Sequence, residues 1–193
     1  MSQRDRPLGQ PQLRVIGGDW RGRKLSFPSK RSLRPTTDRV RETLFNWLAP
    51  MVRDAQCLDL CAGSGALGIE ALSRGAQRCD FVDTDQQAID AIEQNLCSLG
   101  ATDRATLRTC EADTVVNGDA RWDIVFVDPP FEAGLGNRLL SCLAASQCLR
   151  QDGLVYFETR RSAPETVPEQ HYEIYREKTA GDVCFRLLRF RSA

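Results

Sequence analysis

The sequence predicts an α/β protein with a mainly parallel sheet of seven strands, helices on both faces, and an antiparallel hairpin at one edge. From residue 56 on, short apolar runs typical of strands alternate with stretches of helical periodicity. Two long strand-like runs then flank residues 179–182, which predicts the antiparallel hairpin. This alternation implies parallel strands joined by right-handed crossovers, with both faces of the sheet covered.

A smaller basic unit precedes the sheet. Its predicted parts are a short hairpin over 13–27 that turns at Gly17-Gly18-Asp19, a basic connection over 28–35, and a helix over 36–50 that Thr36 or Thr37 caps. We therefore divide the chain into a disordered tail (1–12), a basic N-terminal hairpin and helix extension (13–53), and a sheet domain (54–193).

Within the sheet domain the elements follow in the order expected of βαβ units. Strands are expected at 57–61, 79–83, 105–110, 123–128 and 153–159, with helices at 66–75, 85–98 and 136–149. Ala88, Ile89, Ile92 and Leu96 share one face of the second of these helices, as a helix packed on a sheet requires.

Composition narrows the class of protein. The 193 residues are 41% hydrophobic, with no apolar run long enough to cross a membrane and no apolar segment of signal-peptide type near residue 1. We therefore expect a cytoplasmic protein, and we expect it to be a monomer. Eight cysteines form no C-x-x-C pair and His171 is the single histidine, so we expect no metal. Buried reduced thiols are the favoured interpretation over a zinc site built from scattered cysteines.

Charge is distributed unevenly along the chain. Residues 1–41 contain 11 Lys or Arg against three Asp or Glu, a net of +8, and the remainder has a net of −8. A basic arm on an acidic body favours binding to a polyanion, and a solvated terminus is the alternative.

A glycine-rich turn lies between the first strand and the first helix of the sheet domain. Gly63, Gly65 and Gly68 fit the spacing G-x-G-x-x-G, in which glycine permits a tight turn and the close approach of a ligand. Asp83 lies twenty residues after Gly63, where a carboxylate can accept hydrogen bonds from ribose hydroxyls. The pattern predicts a cofactor that contains adenosine, and a tight turn with no ligand is the alternative.

Asp59, four residues before Gly63, helps to choose the cofactor. A carboxylate there would repel the pyrophosphate of a dinucleotide but would attract the cationic methionine end of S-adenosylmethionine. The sign of the charge therefore favours the methyl donor, although an acid that caps the helix or the turn would look the same in the sequence.

The fourth predicted strand ends on Asp128-Pro129-Pro130-Phe131. Proline fixes φ and has no N–H, so two prolines between an acid and an aromatic residue indicate a rigid platform. A strand that merely stops at a proline before a core phenylalanine is the alternative.

Together these motifs resemble those of the class I S-adenosylmethionine-dependent methyltransferases, which have a Rossmann-like fold. The resemblance rests on Asp59-x-x-x-Gly63-x-Gly65, Asp83, Asp113 and Asp128-Pro129-Pro130-Phe131, in that order. In that class D-P-P-F occurs where the target is a planar exocyclic amino group. Ligands of open α/β sheets bind beyond the carboxyl ends of the strands, so we expect the glycine turn and D-P-P-F to face one another.

The chemistry explains the residue types of this motif. An exocyclic amine is a poor nucleophile because its lone pair is delocalised into the ring. Acceptors on Asp128 and on the Pro129 carbonyl, aimed at its two N–H bonds, return electron density to nitrogen and stabilise the positive charge that develops. The prolines keep the carbonyl aimed, and Phe131 can stack on the base.

Over residues 13–190 the chain resembles the bacterial 16S ribosomal RNA guanine-N2 methyltransferases. The stretches that carry this resemblance are Arg14–Gly18, Trp20–Arg23 and Arg34–Asn46. It implies 16S ribosomal RNA, in an assembled or partly assembled small subunit, as partner. It also implies that Asp83, with Thr84 beside it, holds the ribose, that Asp113 holds the adenine amino group, and that Gly63 and Gly65, with Ala62 and Ser64, hold the methionine moiety. For Asp113 the residues alone support a helix N-cap equally well.

The basic extension supplies the candidate RNA contacts. The phosphate candidates are Arg21, Arg23, Lys24, Lys30, Arg31, Arg34 and Arg39. Trp20 stacks on an unpaired base or packs within the hairpin. Thr36, Arg39 and Arg41 line the cleft, or the arginines pair with Asp38 or Glu42 on the same helix.

Three other functions compete with this prediction. An amine methyltransferase acting on DNA adenine would need a separate recognition domain, for which the chain has no room, and the basic arm argues against a protein glutamine as substrate. A nicotinamide-dependent oxidoreductase would fit the glycine spacing but has no use for D-P-P-F. A catalytically inert RNA-binding protein would keep its RNA binding when Asp128 is replaced, whereas a methyltransferase would lose methyl transfer.

Overall fold

The structure is a computed structural model that describes residues 12–27, 37–116, 121–130, 134–146 and 148–191. The predicted tail, the basic connection over 28–35, and Thr36 and Phe131 lie outside the described residues, apart from Gln12, which begins the first strand. The extension forms the strands β1 (Gln12–Arg14) and β2 (Lys24–Ser26) and the helix α1 (Asp38–Leu48). Thr37 caps α1, because its side chain accepts a hydrogen bond from the Val40 N–H.

The sheet domain follows the predicted alternation. Its strands are β3 (Gln56–Asp59), β4 (Arg78–Asp83), β5 (Ala105–Thr109), β6 (Trp122–Val127), β7 (Leu149–Arg160), β8 (Tyr172–Ala180) and β9 (Val183–Phe190). Its helices are α2 (Ala66–Ser73), α3 (Gln86–Leu99), α4 (Ala112–Val116) and α5 (Leu135–Ser146), with one 3₁₀ turn at Thr102–Arg104.

The seven strands lie in the order β5-β4-β3-β6-β7-β9-β8. The pairs from β5 to β7 are parallel, and β9 is antiparallel to both of its neighbours. One face packs against the N-terminal hairpin and α1, α2 and α3, and the other packs against α4 and α5. The predicted doubly covered sheet with an antiparallel hairpin is therefore confirmed.

The boundary between α5 and β7 differs from the prediction. The helix was expected to continue to residue 149 and the strand to begin at 153, whereas α5 ends at Ser146 and β7 begins at Leu149. The polar sequence Arg150–Gly153 suggests a turn, but it is accommodated as an irregularity in the ladder between β6 and β7, with Asp152 at a φ of 59°. Buried Trp122 and Leu149 pair beyond this irregularity and extend the strand.

The N-terminal hairpin is fastened to the sheet domain by a buried carboxylate. Glu70, in the middle of α2, is fully buried and accepts hydrogen bonds from the backbone N–H groups of Ile16 and Gly17 at 2.8 Å each. Arg74 donates its Nε–H to the same carboxylate at 2.8 Å. The loop over 15–23 is therefore held by partners more than fifty residues away along the chain.

Ser73, the last residue of α2, completes this attachment. Its hydroxyl donates to the Gly17 carbonyl at 2.6 Å and accepts from the Trp20 N–H at 3.0 Å, and its carbonyl accepts from the Asp19 N–H at 2.8 Å. Gly18 passes so close that a Cβ there would lie 1.9 Å from the Ser73 carbonyl oxygen. Only glycine fits this close approach of two backbones.

We predict that Gly18→Ala destabilises the fold much more than Gly22→Ala. Both glycines have positive φ, 76° and 84°, so each alanine is strained by about 1–2 kcal/mol. A Cβ on Gly22 meets nothing within 4 Å, whereas one on Gly18 meets the Ser73 backbone and would add about 1–3 kcal/mol. Urea unfolding of the two variants measures the difference, and equal losses would contradict the close packing of this loop.

Four of the eight cysteines, Cys57, Cys79, Cys148 and Cys184, are buried, and Cys97 is exposed. All eight are free thiols, and burial raises the pKa of the Cys57 and Cys79 thiols well above its usual value. Among the described residues, His, Cys, Asp and Glu form no group suited to hold a metal ion. No helix in that same part of the chain combines the length and the apolarity that crossing a membrane requires.

Candidate active site

Four acidic residues lie at the carboxyl ends of four adjacent strands, and we call Asp83, Asp59, Asp128 and Glu158 the acidic row. Asp83 ends β4 and Asp59 ends β3, whereas Asp128 directly follows β6 and Glu158 lies near the end of β7. These strands are neighbours in the order β4-β3-β6-β7. The predicted juxtaposition of the glycine turn with the Asp128 motif follows, because β3 and β6 pair directly.

The register puts the acidic row on one face of the sheet. Asp59 pairs with Phe126, and Phe126 pairs with Tyr156. Since alternate residues of a strand share a face, Asp128 and Glu158 come two residues further along the same side. That side is the one covered by α1, α2 and α3.

The glycine turn has the backbone that the sequence predicts. Gly63 and Gly65 have φ values of 51° and 73°, and the Gly65 N–H closes the turn on the Ala62 carbonyl at 2.7 Å. Gly65 is the N-cap of α2 and supplies no side-chain hydrogen bond to the helix. Ser64 is buried beside it, as are Gly65 and the first residues of α2. The two glycines thus permit the tight turn that the sequence predicts.

Asp83 ties the glycine turn to β4. Its two oxygens accept from the Gly63 N–H at 2.8 Å and from the Asp85 N–H at 2.9 Å. Each carboxylate oxygen has a second lone pair, so these bonds leave capacity for ribose hydroxyls. Thr84 is exposed next to it.

Asp59 lies beneath the turn rather than beside it. It is buried and accepts a hydrogen bond from the Gly68 N–H, in the first turn of α2, at 3.0 Å. This contact is the capping role that the sequence left open. The pKa of Asp59 is raised to about 7, chiefly by burial and in part by the nearby carboxylates of Asp128 and Asp83, against the opposing effect of the Gly68 hydrogen bond. A cation bound above this carboxylate would favour its charged form.

The Asp128-Pro129-Pro130 segment leaves the sheet at the end of β6. Asp128 is half-buried, Pro129 is buried and Pro130 is exposed, and Phe131 lies outside the described residues. Strand β6 hydrogen-bonds the chain on its way into the glycine turn, because the Leu60 N–H donates to the Phe126 carbonyl at 3.1 Å. The two motifs are thereby held at adjacent strand ends.

Asp113 lies in the first turn of α4, which packs on the face of the sheet that α5 also covers. The sequence did not predict this five-residue helix. Asp113 is half-exposed and pairs with Arg138 of α5 at 3.6 Å. Asp113 is the second residue of α4 rather than its N-cap, so the N-cap alternative does not hold, and adenine binding stays a prediction.

The basic candidates divide into separate groups. Trp20 is half-buried against the core, with the Arg104 guanidinium 5.6 Å from its ring, which agrees with the alternative of packing within the hairpin. Arg23 donates to the Ser98 carbonyl near the end of α3. The exposed basic candidates are Arg21, Arg23, Lys24 and Arg39, and Lys30, Arg31 and Arg34 lie outside the described residues.

The loop that carries Trp20 and Arg21 lies far from the acidic row. It contacts the end of α2, and α2 begins at the glycine turn, so its eight residues separate the two by about 12 Å. The loop therefore lies toward the amino ends of the strands, whereas the acidic row lies at their carboxyl ends.

Arg41 does not line the cleft. It is fully buried, donates to the Arg14 carbonyl at 2.9 Å, and forms an ion pair with Asp38 at 2.7 Å. The expectation that Arg41 reaches cofactor or RNA is therefore wrong, and the helix-pairing alternative is confirmed. The reason is packing, because the side chain fills the space between the hairpin and α2, 3.8 Å from the buried Glu70 carboxylate.

Similarity to known proteins identifies the family of this chain. The sequence model of the family described as conserved hypothetical protein 95 matches residues 13–189. The chain belongs to this family.

Relatives of this conserved hypothetical protein 95 member cover almost all of its length. It is 45% identical over 180 residues to ribosomal RNA small subunit methyltransferase D of Escherichia coli K12, covering 93% of this chain and 90% of that protein. Its identity to the Haemophilus influenzae protein of the same name is 38% over 185 residues, or 94% and 95% of the two chains. A solved Escherichia coli structure described as the methyltransferase yhhF matches with a TM-score of 0.85 at 43% identity, covering 93% and 98%. These similarities confirm the predicted family and the class I methyltransferase fold.

Sequence reasoning missed Glu158 in this family member. It is 6% exposed, and the Tyr156 hydroxyl donates to its Oε2 at 2.6 Å. The pKa of Glu158 is raised to about 8 by burial and, to a smaller extent, by Asp128, against the opposing effect of the Tyr156 hydrogen bond. The available signal was an acid at the end of an apolar strand, the same signal that singled out Asp59 and Asp128.

We predict that Glu158 makes folding stability depend on pH. Its pKa rises from 4.5 when exposed to about 8 in the fold, so the folded state keeps a proton that the unfolded state loses. The contribution of Glu158 is therefore fully present below pH 4.5 and is lost as pH rises toward 8. Urea unfolding of the wild type and of Glu158→Gln at several pH values should show the variant gaining relative stability across this range. A difference that stays constant with pH would contradict the raised pKa.

Proposed function

We propose that this protein transfers a methyl group from S-adenosylmethionine to the exocyclic N2 of a guanine in 16S ribosomal RNA. The observation that carries the proposal is the pairing of β3 with β6, which brings the glycine turn and Asp128-Pro129-Pro130 to adjacent strand ends. The identity to ribosomal RNA small subunit methyltransferases over nine-tenths of the chain supports ribosomal RNA as the substrate class.

The residues present fit the methyl donor. The tight turn at Gly63 and Gly65 suits the close approach of a ligand, and the raised pKa of Asp59 would fall beside a positively charged group. S-adenosylmethionine, when bound, supplies an electrophilic methyl carbon next to a sulfonium. Asp83 would hold its ribose, Asp113 its adenine amino group, and the turn from Ala62 to Gly65 its methionine moiety.

Asp128 and Pro129 act on the amine. The Asp128 carboxylate and the Pro129 carbonyl accept hydrogen bonds from the two N–H bonds of the amino group, which localises the lone pair on nitrogen. The same acceptors stabilise the positive charge that develops on that nitrogen. Pro130 limits the freedom of this segment, and Phe131 stacks on the base.

Substrate recognition extends beyond the pocket. Guanine N2 lies in the minor groove of a base pair, so the target base must be unpaired or flipped out to enter. The exposed cations Arg21, Arg23, Lys24 and Arg39, with Lys30, Arg31 and Arg34, contact phosphates and give binding that weakens with salt. The protein acts as a monomer in the cytoplasm, on an assembled or partly assembled small subunit.

The test supplies labelled S-adenosylmethionine and small subunits purified from cells that lack this methyltransferase. We expect label in the RNA that co-elutes with N2-methylguanosine after digestion to nucleosides. Subunits from wild-type cells serve as the control, because their target is already methylated and should accept little label. Label in N6-methyladenosine or in ribosomal protein would contradict the proposal.

A further inference from the structure

We propose that Glu158 is a specificity-determining residue, which accepts a hydrogen bond from the N1–H of the target guanine while Tyr156 holds its carboxylate in place. This inference rests on the proposed function and adds a residue that reads the identity of the base. Asp128 would act on the amino group that reacts, and Glu158 on the ring nitrogen next to it.

The position of Glu158 follows from the strand register. Val127 of β6 pairs with Phe157 of β7, so Asp128 and Glu158 are the next residues on two adjacent parallel strands. Neighbouring strands lie about 4.8 Å apart, so two side chains at the same level and on the same face can contact one flat base. The electrostatic influence of Asp128 on Glu158 agrees with this proximity.

The orientation of Glu158 is fixed by Tyr156. The Tyr156 side chain is fully buried and its hydroxyl donates to Oε2 of Glu158 at 2.6 Å. Within the described part of the chain, this is the one hydrogen bond of the Glu158 side chain, and it uses one of the two carboxylate oxygens. The other oxygen keeps its lone pairs for a donor on an incoming base. Aromatic contacts of Tyr156 with Phe126 and Phe185 keep the phenol from moving.

The chemistry of guanine matches this arrangement. Its N1–H and its N2 amino group are adjacent donors on one edge of the ring, so two acceptors side by side satisfy them. A purine with the same 2-amino group but no proton on N1 would instead bring a ring lone pair toward the Glu158 carboxylate. A buried site that is built to hydrogen-bond one group rejects an analogue that lacks it, because the polar groups of the site are left unpaired.

The charge state of Glu158 agrees with a role that begins when ligands bind. Burial and Asp128 raise the pKa of Glu158 to about 8, so the carboxyl group is mostly protonated near neutral pH in the free protein. A donor at N1 and the positive charge of the methyl donor both favour the ionised form. Binding of the correct base and cofactor would thus release the proton and complete the acceptor.

The experiment uses 2,6-diaminopurine as the probe base. The labelled RNA is first mapped to locate the target position. That position is then built into small-subunit RNA as guanine or as 2,6-diaminopurine, which keeps the 2-amino group and lacks the N1 proton. We expect the wild type to prefer guanine by about 100-fold in kcat/KM. Glu158→Gln presents an amide N–H that can donate to the unprotonated N1, so the preference should shrink to about tenfold or less, or reverse.

Three further measurements separate specificity from folding. Tyr156→Phe should lower kcat/KM on guanine by about tenfold through loss of orientation while guanine stays preferred. Glu158→Asp keeps the carboxylate and should keep the preference at a lower rate, which tests the inference even if the glutamine variant folds poorly. Calorimetric titration with S-adenosylmethionine should show that each variant is folded and still binds the cofactor.

The outcomes distinguish the two proposals. If the wild type labels guanine and Glu158→Gln lowers kcat/KM equally on both bases, Glu158 is only structural and this inference is wrong. If Glu158→Asp loses the preference for guanine, the inference is also wrong. If the wild type transfers no label to guanine in small-subunit RNA, the proposed function itself fails.

Discussion

Asp128→Asn is expected to lower kcat for methyl transfer by about 10²- to 10³-fold, the loss typical of removing one preorganised group that stabilises charge in the transition state. The asparagine keeps the size of the side chain but removes the negative charge that faces the developing cation on nitrogen. It also presents an amide that can donate toward the amine. Single-turnover measurement with saturating S-adenosylmethionine isolates the chemical step from product release.

The matched control is Asp90→Asn, which neutralises an exposed carboxylate on α3 that hydrogen-bonds Gln86 on the same helix. Its kcat should stay within twofold of the wild type. RNA binding and cofactor binding should persist in Asp128→Asn, which separates an enzyme from an inert RNA-binding protein. Methyl transfer within tenfold of the wild type in Asp128→Asn would remove the catalytic role assigned to this carboxylate.

Glu70→Ala is expected to lower the free energy of unfolding by about 3–5 kcal/mol, as removal of one partner from a buried charge network does. The variant leaves Arg41 buried without its nearby carboxylate and removes the acceptor of the Ile16 and Gly17 N–H groups. Urea unfolding measures the change from the midpoint and slope of the transition.

Local exchange gives a second readout for Glu70→Ala. The Ile16 and Gly17 amides should lose protection from hydrogen exchange before the strands of the sheet do, because their acceptor is gone. Glu93→Ala, on the exposed surface of α3, is the matched control and should change stability by less than about 1 kcal/mol. A loss below about 1 kcal/mol in Glu70→Ala would show that the hairpin is held in another way.

The fold could be predicted from the sequence because its local patterns agree with one another. Apolar runs, helix caps and glycines each specify an element within a few residues of itself, as Thr37 does for α1 and Gly100 for the end of α3. The prediction failed at residues 149–153, where a turn-like Asp-Gly sequence lies inside a strand. The pairing of Trp122 with Leu149 makes this region part of the strand, and the sequence of β7 alone does not reveal that pairing.

The same distinction holds for the candidate site. The glycine turn and Asp128-Pro129-Pro130 are contiguous motifs and could be found by inspection. Glu70 and Glu158 acquire their roles from partners supplied by the fold, such as the Ile16 N–H from a distant loop and Asp128 from the neighbouring strand. An acid within an almost wholly apolar element was the available signal in both cases, and it does not name the partner.

The position of β9 inside the sheet has a consequence for biosynthesis. Val183–Phe190 is inserted between β7 and β8, so β7 has no outer partner and β8 has no ladder at all until β9 has been translated. A nascent chain stalled before that point presents the unpaired apolar edge at Val155–Phe157, a template for aggregation. Domains fold as units during synthesis, so this sheet can be completed only after β9 has been translated.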